Sequence, residues 1–152
     1  MRKRTRSREF ALQVLYQVDI THSNPKEILE DFWQDRTDLA LSNQEKAAVE
    51  EDKKDPEVRK YAEILVFGTL DKLPPIDQAI ERVAENWEMK RMAYVDRNIL
   101  RLSTYEMLYL EEIPVKVAIN EAVELAKRYG EADSSKFVNG ILDRIAKTEC
   151  KK

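Results

Sequence analysis

Residues 114–130 read PVKVAINEAVELAKRYG, and this segment marks both ends of an α-helix. Pro114 suits a helix start, because its φ is already helical and it lacks an N–H that would go unbonded there. Gly130 follows the last residue of the apolar pattern, where helices commonly stop at a C′ glycine. Residues 115–119 could also begin a strand, but the chain shows no partner strand for it. We therefore predict a helix over residues 114–129.

The same helical spacing of apolar residues continues through most of the chain. Residues 24–25 (Asn-Pro) and 55–56 (Asp-Pro) each place an N-cap residue before a proline, which is typical of a helix start. Residues 40–54 are polar with weak periodicity, and they predict either a long connection or a marginal helix. Together these patterns predict an all-α protein of about seven helices.

A break at residues 73–75 (Leu-Pro-Pro) predicts the domain organisation. It separates an N-terminal three-helix lobe, residues 1–73, from a C-terminal four-helix lobe, residues 74–152. Each lobe is too small to be safely stable alone. We therefore expect the two lobes to pack together as one compact domain.

Two positions in the predicted C-terminal lobe carry specific expectations. Ile76, Ile80, Val83 and Trp87 are spaced by four, three and four residues, so Trp87 is expected on the same helical stripe. Gly140 lies inside the last predicted helix, at a cost of about 1 kcal/mol against alanine. We expect Gly140 to allow another helix to approach closely.

The composition excludes several classes of function. The chain has 152 residues, a formal net charge of −3, and single His and Cys residues, His22 and Cys150. These two cannot build the common metal clusters or a Cys–His pair, and one Cys fits a reducing compartment. The sequence contains no glycine-rich phosphate loop and no apolar run long enough for a bilayer. We therefore expect no metal, no cofactor, no membrane-spanning segment and a cytoplasmic location, and nothing in the sequence argues for a catalytic residue.

Opposite charges are segregated along the chain. Residues 26–57 contain eleven acids against five bases. Residues 1–9 contain five cations against Glu9 alone, and we call these cations the basic start: Arg2, Lys3, Arg4, Arg6 and Arg8. The basic start is either a disordered, solubilising tail or a site for an anionic partner.

Two physical points favour an anionic partner for the basic start. Cations at the first turn of a helix lie at the positive end of its dipole, which costs roughly 0.3–1 kcal/mol each. Four of the five are arginines, whose planar guanidinium binds phosphate in a bidentate way and stacks on bases. RNA, DNA and an acidic membrane all stay open, although residues 2–9 lack the interleaved large apolar side chains that a membrane helix needs.

Two aromatic residues are candidates for stacking on a base. Tyr16 lies on the helix that the basic start opens, where it is either a core or boundary aromatic or a stacking surface. Phe137 lies at the start of the last helix, beside Asp133 and Lys136. It is either a core residue or part of a helix start that offers free N–H groups to phosphate.

The residues now described resemble a known family. Residues 114–130 and 135–143 (SKFVNGILD) look like signatures of the bacterial NusB antitermination factors. The Arg4-x-Arg6-x-Arg8-Glu9 start and residues 96–106 (DRNILRLSTYE) are similar to two further blocks of that family. The likeness runs through essentially the whole chain in order, except that residues 36–57 fit poorly.

The resemblance implies an all-helical fold of two packed bundles and an RNA-binding protein that is not an enzyme. Such proteins pair with NusE, which is also a ribosomal small-subunit protein. The pair binds boxA-type single-stranded RNA in nascent transcripts, including ribosomal RNA. With the antitermination complex on RNA polymerase, it prevents premature transcription termination.

The resemblance also implies roles for individual residues. The basic start, and Arg4, Arg6 and Arg8 in particular, would contact RNA. A second part of the RNA surface would comprise Asp133, Lys136 and Phe137, with Tyr16 and Arg101 added to it, and Asp96 would face NusE. The sequence does not decide whether the chain forms a homodimer. Two other functions stay possible: a helical protein-interaction module without direct RNA binding, and a small hydrolase or transferase that uses acidic residues.

Overall fold

The structure is a computed structural model that describes residues 2–35 and 42–152. Within these ranges it contains eight α-helices and one short 3-10 helix, Met89–Arg91. The α-helices are α1 Lys3–Thr21, α2 Pro25–Gln34, α3 Asn43–Lys54, α4 Pro56–Asp71, α5 Leu73–Val83, α6 Tyr94–Tyr109, α7 Val115–Tyr129 and α8 Ser134–Thr148. The predicted all-α class is confirmed. Part of the acidic stretch, including Arg36 and Asp38, lies outside the described residues.

The helix that raises the number from seven to eight is α3. Its N-cap is Ser42, whose Oγ accepts a hydrogen bond from the backbone N–H of Glu45 at 3.2 Å. Only Val49 and Lys53 of this helix are buried. Because a single apolar residue points inward, the helical period is weak in the sequence even though the helix forms.

The chain divides into two compact units, Met1–Val66 and Phe67–Lys152, with the boundary inside α4. In unit 1 the core holds Phe10 of α1, against which Phe32 and Trp33 of α2 pack. The three rings meet edge to face, with centroids 5.3–5.8 Å apart. The lobe limits 1–73 and 74–152, and the packing of the lobes as one domain, stay predictions.

Unit 2 contains the end of α4 and helices α5 to α8, and α7 packs against both α6 and α8. Helix α7 ends as expected at Tyr129, but Gly130 has φ −93° and is not left-handed. A Cβ on Gly130 would lie 2.5 Å from the side chain of Ser134 at the start of α8. The glycine is therefore required by the close approach of α8 rather than by its own backbone conformation.

Two expectations in this unit are wrong. Helix α5 ends at Val83, so Trp87 lies beyond the helix and is 52% exposed. Gly140 lies in α8 as predicted, but a Cβ there would meet no atom of another element within 4 Å among the described residues. Within the described part of the chain, the space beside Gly140 is therefore open rather than filled by a neighbouring helix.

No helix of the described residues is long and apolar enough to cross a membrane.

Candidate nucleic-acid interface

The basic start forms the first turns of a regular helix rather than a disordered tail. Helix α1 begins at Lys3, its N-cap Arg2 makes no side-chain capping bond, and its first turn contains no acid. The cations therefore lie at the positive end of the helix dipole, as the sequence predicted. An anionic ligand at this end would remove the electrostatic cost.

The five cations of the basic start divide into an exposed and a buried set. Arg2, Lys3 and Arg4 are exposed, whereas Arg6 and Arg8 are buried. The Nε of Arg6 lies 2.7 Å from Oδ2 of Asp52, and its Nη1 lies 3.3 Å from Oε1 of Glu9. Arg6 is thus held by carboxylates of its own unit.

Tyr61 of α4 lies beneath the two remaining arginines of α1. The Arg4 guanidinium lies 4.5 Å from the Tyr61 ring centroid, and that of Arg8 lies 5.7 Å from it. Both distances are within the range of a cation–π interaction. Arg8 is 3% exposed and Arg4 remains open to solvent, so only Arg4 presents its charge outward.

Lys3 is exposed, but two acids contact its ammonium group. Its Nζ lies 3.2 Å from Asp55 and 3.4 Å from Glu57. The hydrogen bonds and charges of these carboxylates raise the pKa of Lys3 above its ordinary value. An RNA phosphate would compete with Asp55 and Glu57 for this lysine.

Two added candidates, Tyr16 and Arg101, lie in different units. Tyr16 is 38% exposed on α1, so part of its ring is open to solvent. Arg101 of α6 makes a bidentate ion pair with Asp77 of α5, with both bonds at 2.9 Å. Its side chain is 11% exposed, and the guanidinium joins two helices of unit 2.

The start of α8 brings three predicted residues together within two turns. Asp133 is the N-cap and Lys136 lies in the first turn, and both are exposed. Phe137 is half-buried, and its ring meets Trp87 edge to face with centroids 5.2 Å apart. The two rings line a cleft of about 260 Å³.

Trp87 is the residue of this region that the sequence pattern did not predict to be at the surface. Its spacing matched a helical stripe, and a stripe usually marks core positions. The residue before it, Asn86, favours a turn and was the available sign that the helix had ended.

Asp96, the predicted contact to a protein partner, lies in the first turn of α6, where the helix dipole favours an acid. The residue is half-buried, and its Oδ1 has no hydrogen-bond partner among the described residues. The described part of the chain also contains no group of three or more His, Cys, Asp or Glu residues placed to hold a metal ion.

Comparison with known proteins gives the family. The model of the NusB family matches residues 5–147. The chain belongs to the NusB family. The transcription antitermination protein NusB of Myxococcus xanthus is 45% identical to it over 146 residues, which are 96% of each chain. That of Bacillus licheniformis is 43% identical and is matched over 94% of this chain and 95% of its own.

Solved NusB structures are similar to this NusB-family chain over nearly its whole length. One is NusB of T. maritima, with 38% identity, a TM-score of 0.79, and coverage of 97% of this chain and 92% of the other. Another is described as antitermination factors NusB and NusE in complex with dsRNA, with 30% identity, a TM-score of 0.79, and coverage of 97% and 98%.

Proposed function

We propose that this NusB-family chain is an RNA-binding transcription antitermination factor. Together with NusE, it binds boxA-type single-stranded RNA of nascent transcripts, including ribosomal RNA. The pair joins the antitermination complex on RNA polymerase and prevents premature termination. The observation that carries the proposal is the full-length similarity to a structure of NusB and NusE in complex with dsRNA.

The proposal assigns different tasks to the members of the basic start. Arg2 and Arg4 present their charges to solvent and contact phosphates directly. Lys3 contacts phosphate after release from its two acids. Arg6 and Arg8 are buried, so they hold this end of α1 in place and contribute to the positive potential at close range.

The proposed second part of the RNA surface is the start of α8 with Asp133, Lys136 and Phe137. Tyr16 stacks on a base, and Arg101 keeps α5 and α6 in register behind the surface through Asp77. Asp96 faces NusE, which supplies the hydrogen-bond partner that its Oδ1 lacks within the described chain. The protein works without a cofactor or a catalytic residue, and since it acts on nascent transcripts, the proposal includes a cytoplasmic location.

Fluorescence anisotropy with a boxA-type RNA tests the proposal. Titrations use this chain alone, NusE alone and the mixture, with a scrambled RNA of equal length as the control. We expect the mixture to bind boxA-type RNA more tightly than either protein alone and to prefer it over the scrambled RNA. Equal binding by NusE with and without this chain would refute the proposal and favour a protein-interaction module.

The salt dependence of the same titration reports the phosphate contacts. If this chain neutralises about four phosphates, log K should fall against log salt with a slope near −3.

Sedimentation of the chain before and after NusE is added measures whether a homodimer precedes the complex.

A further inference from the structure

Trp87 occupies a position that folding alone does not explain. It is 52% exposed, and it lies beyond the end of α5 in a turn in which its backbone N–H donates to the carbonyl of Ala84 at 2.9 Å. Its only ring contact among the described aromatic pairs is the edge-to-face contact with Phe137. A large aromatic ring held open to water by a second aromatic ring is a typical surface for stacking.

The cleft beside the two rings has the size of a site for one small planar group. Its volume of about 260 Å³ lies just below the range of roughly 300–1,000 Å³ that drug-sized ligands occupy. Gly140 lines the cleft, and no atom of another element lies within 4 Å of the position of its missing Cβ. A glycine in mid-helix weakens the helix, and no packing contact at this position compensates for it. We infer that Gly140 is present because a side chain at this position would narrow the cleft.

The polar residues around the cleft suit a nucleotide. Lys136 and Arg144 line it, and Lys136 is exposed at its edge. Arg144 is anchored, because its Nη1 donates to the carbonyl of Val83 at 3.0 Å. Asn86 lines the cleft as well, and a side-chain amide can both donate to and accept from the edge of a base. Glu85 contributes one negative charge to the same lining.

We propose that this cleft binds a single unstacked base of the RNA, with Trp87 and Phe137 as its aromatic walls. Lys136 neutralises the adjoining phosphate, and Asn86 contacts the edge of the base. Sequence-specific recognition of RNA commonly takes splayed-out bases of single strands onto aromatic side chains in this way. The inference rests on the proposed function and adds to it a specificity-determining residue, Trp87.

An abasic scan combined with mutation tests the cleft. Each nucleotide of the boxA-type RNA is replaced in turn by an abasic residue, and binding to the complex of this chain with NusE is measured. One position should lose about 5- to 150-fold in affinity, which is the range that stacking of one base supports. With Trp87→Ala the loss at that position should disappear, and with Trp87→Phe most of it should return. Tyr109→Ala removes an aromatic side chain of α6 that is 38% exposed, and it should leave the pattern of losses unchanged.

Gly140→Leu separates binding from folding. The leucine fills the cleft, and it also improves the helix, so the melting temperature should rise by about 2–4 °C while affinity for boxA-type RNA falls at least 5-fold. Gly140→Ala should give a similar rise in melting temperature and a smaller loss of affinity. Unchanged RNA affinity of Gly140→Leu would overturn the proposal.

The fluorescence of Trp87 reports directly on the binding of a base in the cleft. The chain has two tryptophans, and Trp33 packs against Phe10 and Phe32 in unit 1, so Trp33→Phe leaves Trp87 as the only reporter. We expect its emission to be quenched by intact RNA and much less by RNA that is abasic at the critical position. If the wild-type complex binds no boxA-type RNA, the proposed function itself fails. If it binds RNA but no abasic position is coupled to Trp87, the cleft proposal alone is refuted.

Discussion

Arg4 and Arg6 lie two residues apart on α1, yet their removal is expected to affect different properties of the protein. The Arg6 side chain is 10% exposed and contacts Glu9, whose side chain is 1% exposed. Arg6→Met deletes this cation and leaves the Glu9 carboxylate buried. Removing one partner of a buried ion pair costs about 3–5 kcal/mol. Asp52, the other partner of Arg6, can be hydrated, so we expect a loss of unfolding free energy at the lower end of this range, about 3 kcal/mol. For a chain of this size, that loss lowers the melting temperature by roughly 6–12 °C.

We propose that the exposed arginines, rather than Arg6, contribute to RNA affinity. Arg2→Ala with Arg4→Ala removes two phosphate contacts, and each contact to a single strand contributes about 0.7 to the salt slope. The slope should therefore become less steep by about 1.4. The melting temperature should change little, since the Arg4–Tyr61 contact is a cation–π interaction at the surface, for which about 0.5–1 kcal/mol is typical.

Urea unfolding and RNA titration between low and moderate salt measure the two properties in the same proteins. Asp52→Asn is the matched control, because it removes the negative charge that faces Nε of Arg6 but keeps the buried contact to Glu9. It should therefore lose less stability than Arg6→Met. The reasoning is refuted if Arg6→Met unfolds like the wild type and flattens the salt slope as much as the double variant does.

Three further outcomes follow from contacts in unit 2. Gly68→Ala should destabilise by about 1–3 kcal/mol in urea unfolding, because its Cβ would lie 2.1 Å from the Tyr105 ring. Lys152→Met should cost about 1–2 kcal/mol by the same measurement, since Nζ donates to the carbonyls of Glu106, Leu110 and Ile113 near the end of α6. Burial, with nearby acids, holds the pKa of Tyr105 above its ordinary value of 10.0. The contribution of the neutral Tyr105 side chain to stability is therefore complete below pH 10, and it is lost as pH rises through the folded-state pKa. Tyr105→Phe should remove this part of the alkaline loss of stability.

Most of the helices could be predicted from the sequence, because the residues that start and end a helix are close together in the chain. Asn24 caps α2 through its Oδ1, which accepts from the N–H of Lys26 at 2.9 Å, and Pro25 occupies the first position as expected. The sequence pattern does not decide between a helix and a loop for α3, because this helix buries one apolar residue. Its capping box, Ser42 followed three residues later by Glu45, was a sufficient local sign of its start.

The candidate site was less predictable, because its properties depend on contacts between distant positions. Arg6 and Arg4 look alike in sequence, but in the fold Arg6 is buried and one of its partners, Asp52, lies 46 residues along the chain. In the same way, Phe137 presents an aromatic wall because Trp87, fifty positions earlier, lies beside it. Helical periodicity predicts which face of a helix a residue occupies, but it does not predict which residue of another element contacts it.

The pairing between the basic start and the acids near residue 55 bears on how RNA is bound. A net charge of −3 argues against nucleic acid, and five cations in nine residues argue for it. In unit 1 the two sets are matched, since Arg6 is paired with Asp52, and Lys3 with Asp55 and Glu57. Among the exposed cations of the basic start, Lys3 would have to leave two carboxylates to meet a phosphate, whereas Arg2 and Arg4 form no ion pair with an acid of the described residues. If the chain binds RNA as proposed, we therefore expect its affinity alone to be lower than five free cations would give, and we expect a partner that adds positive charge to raise it.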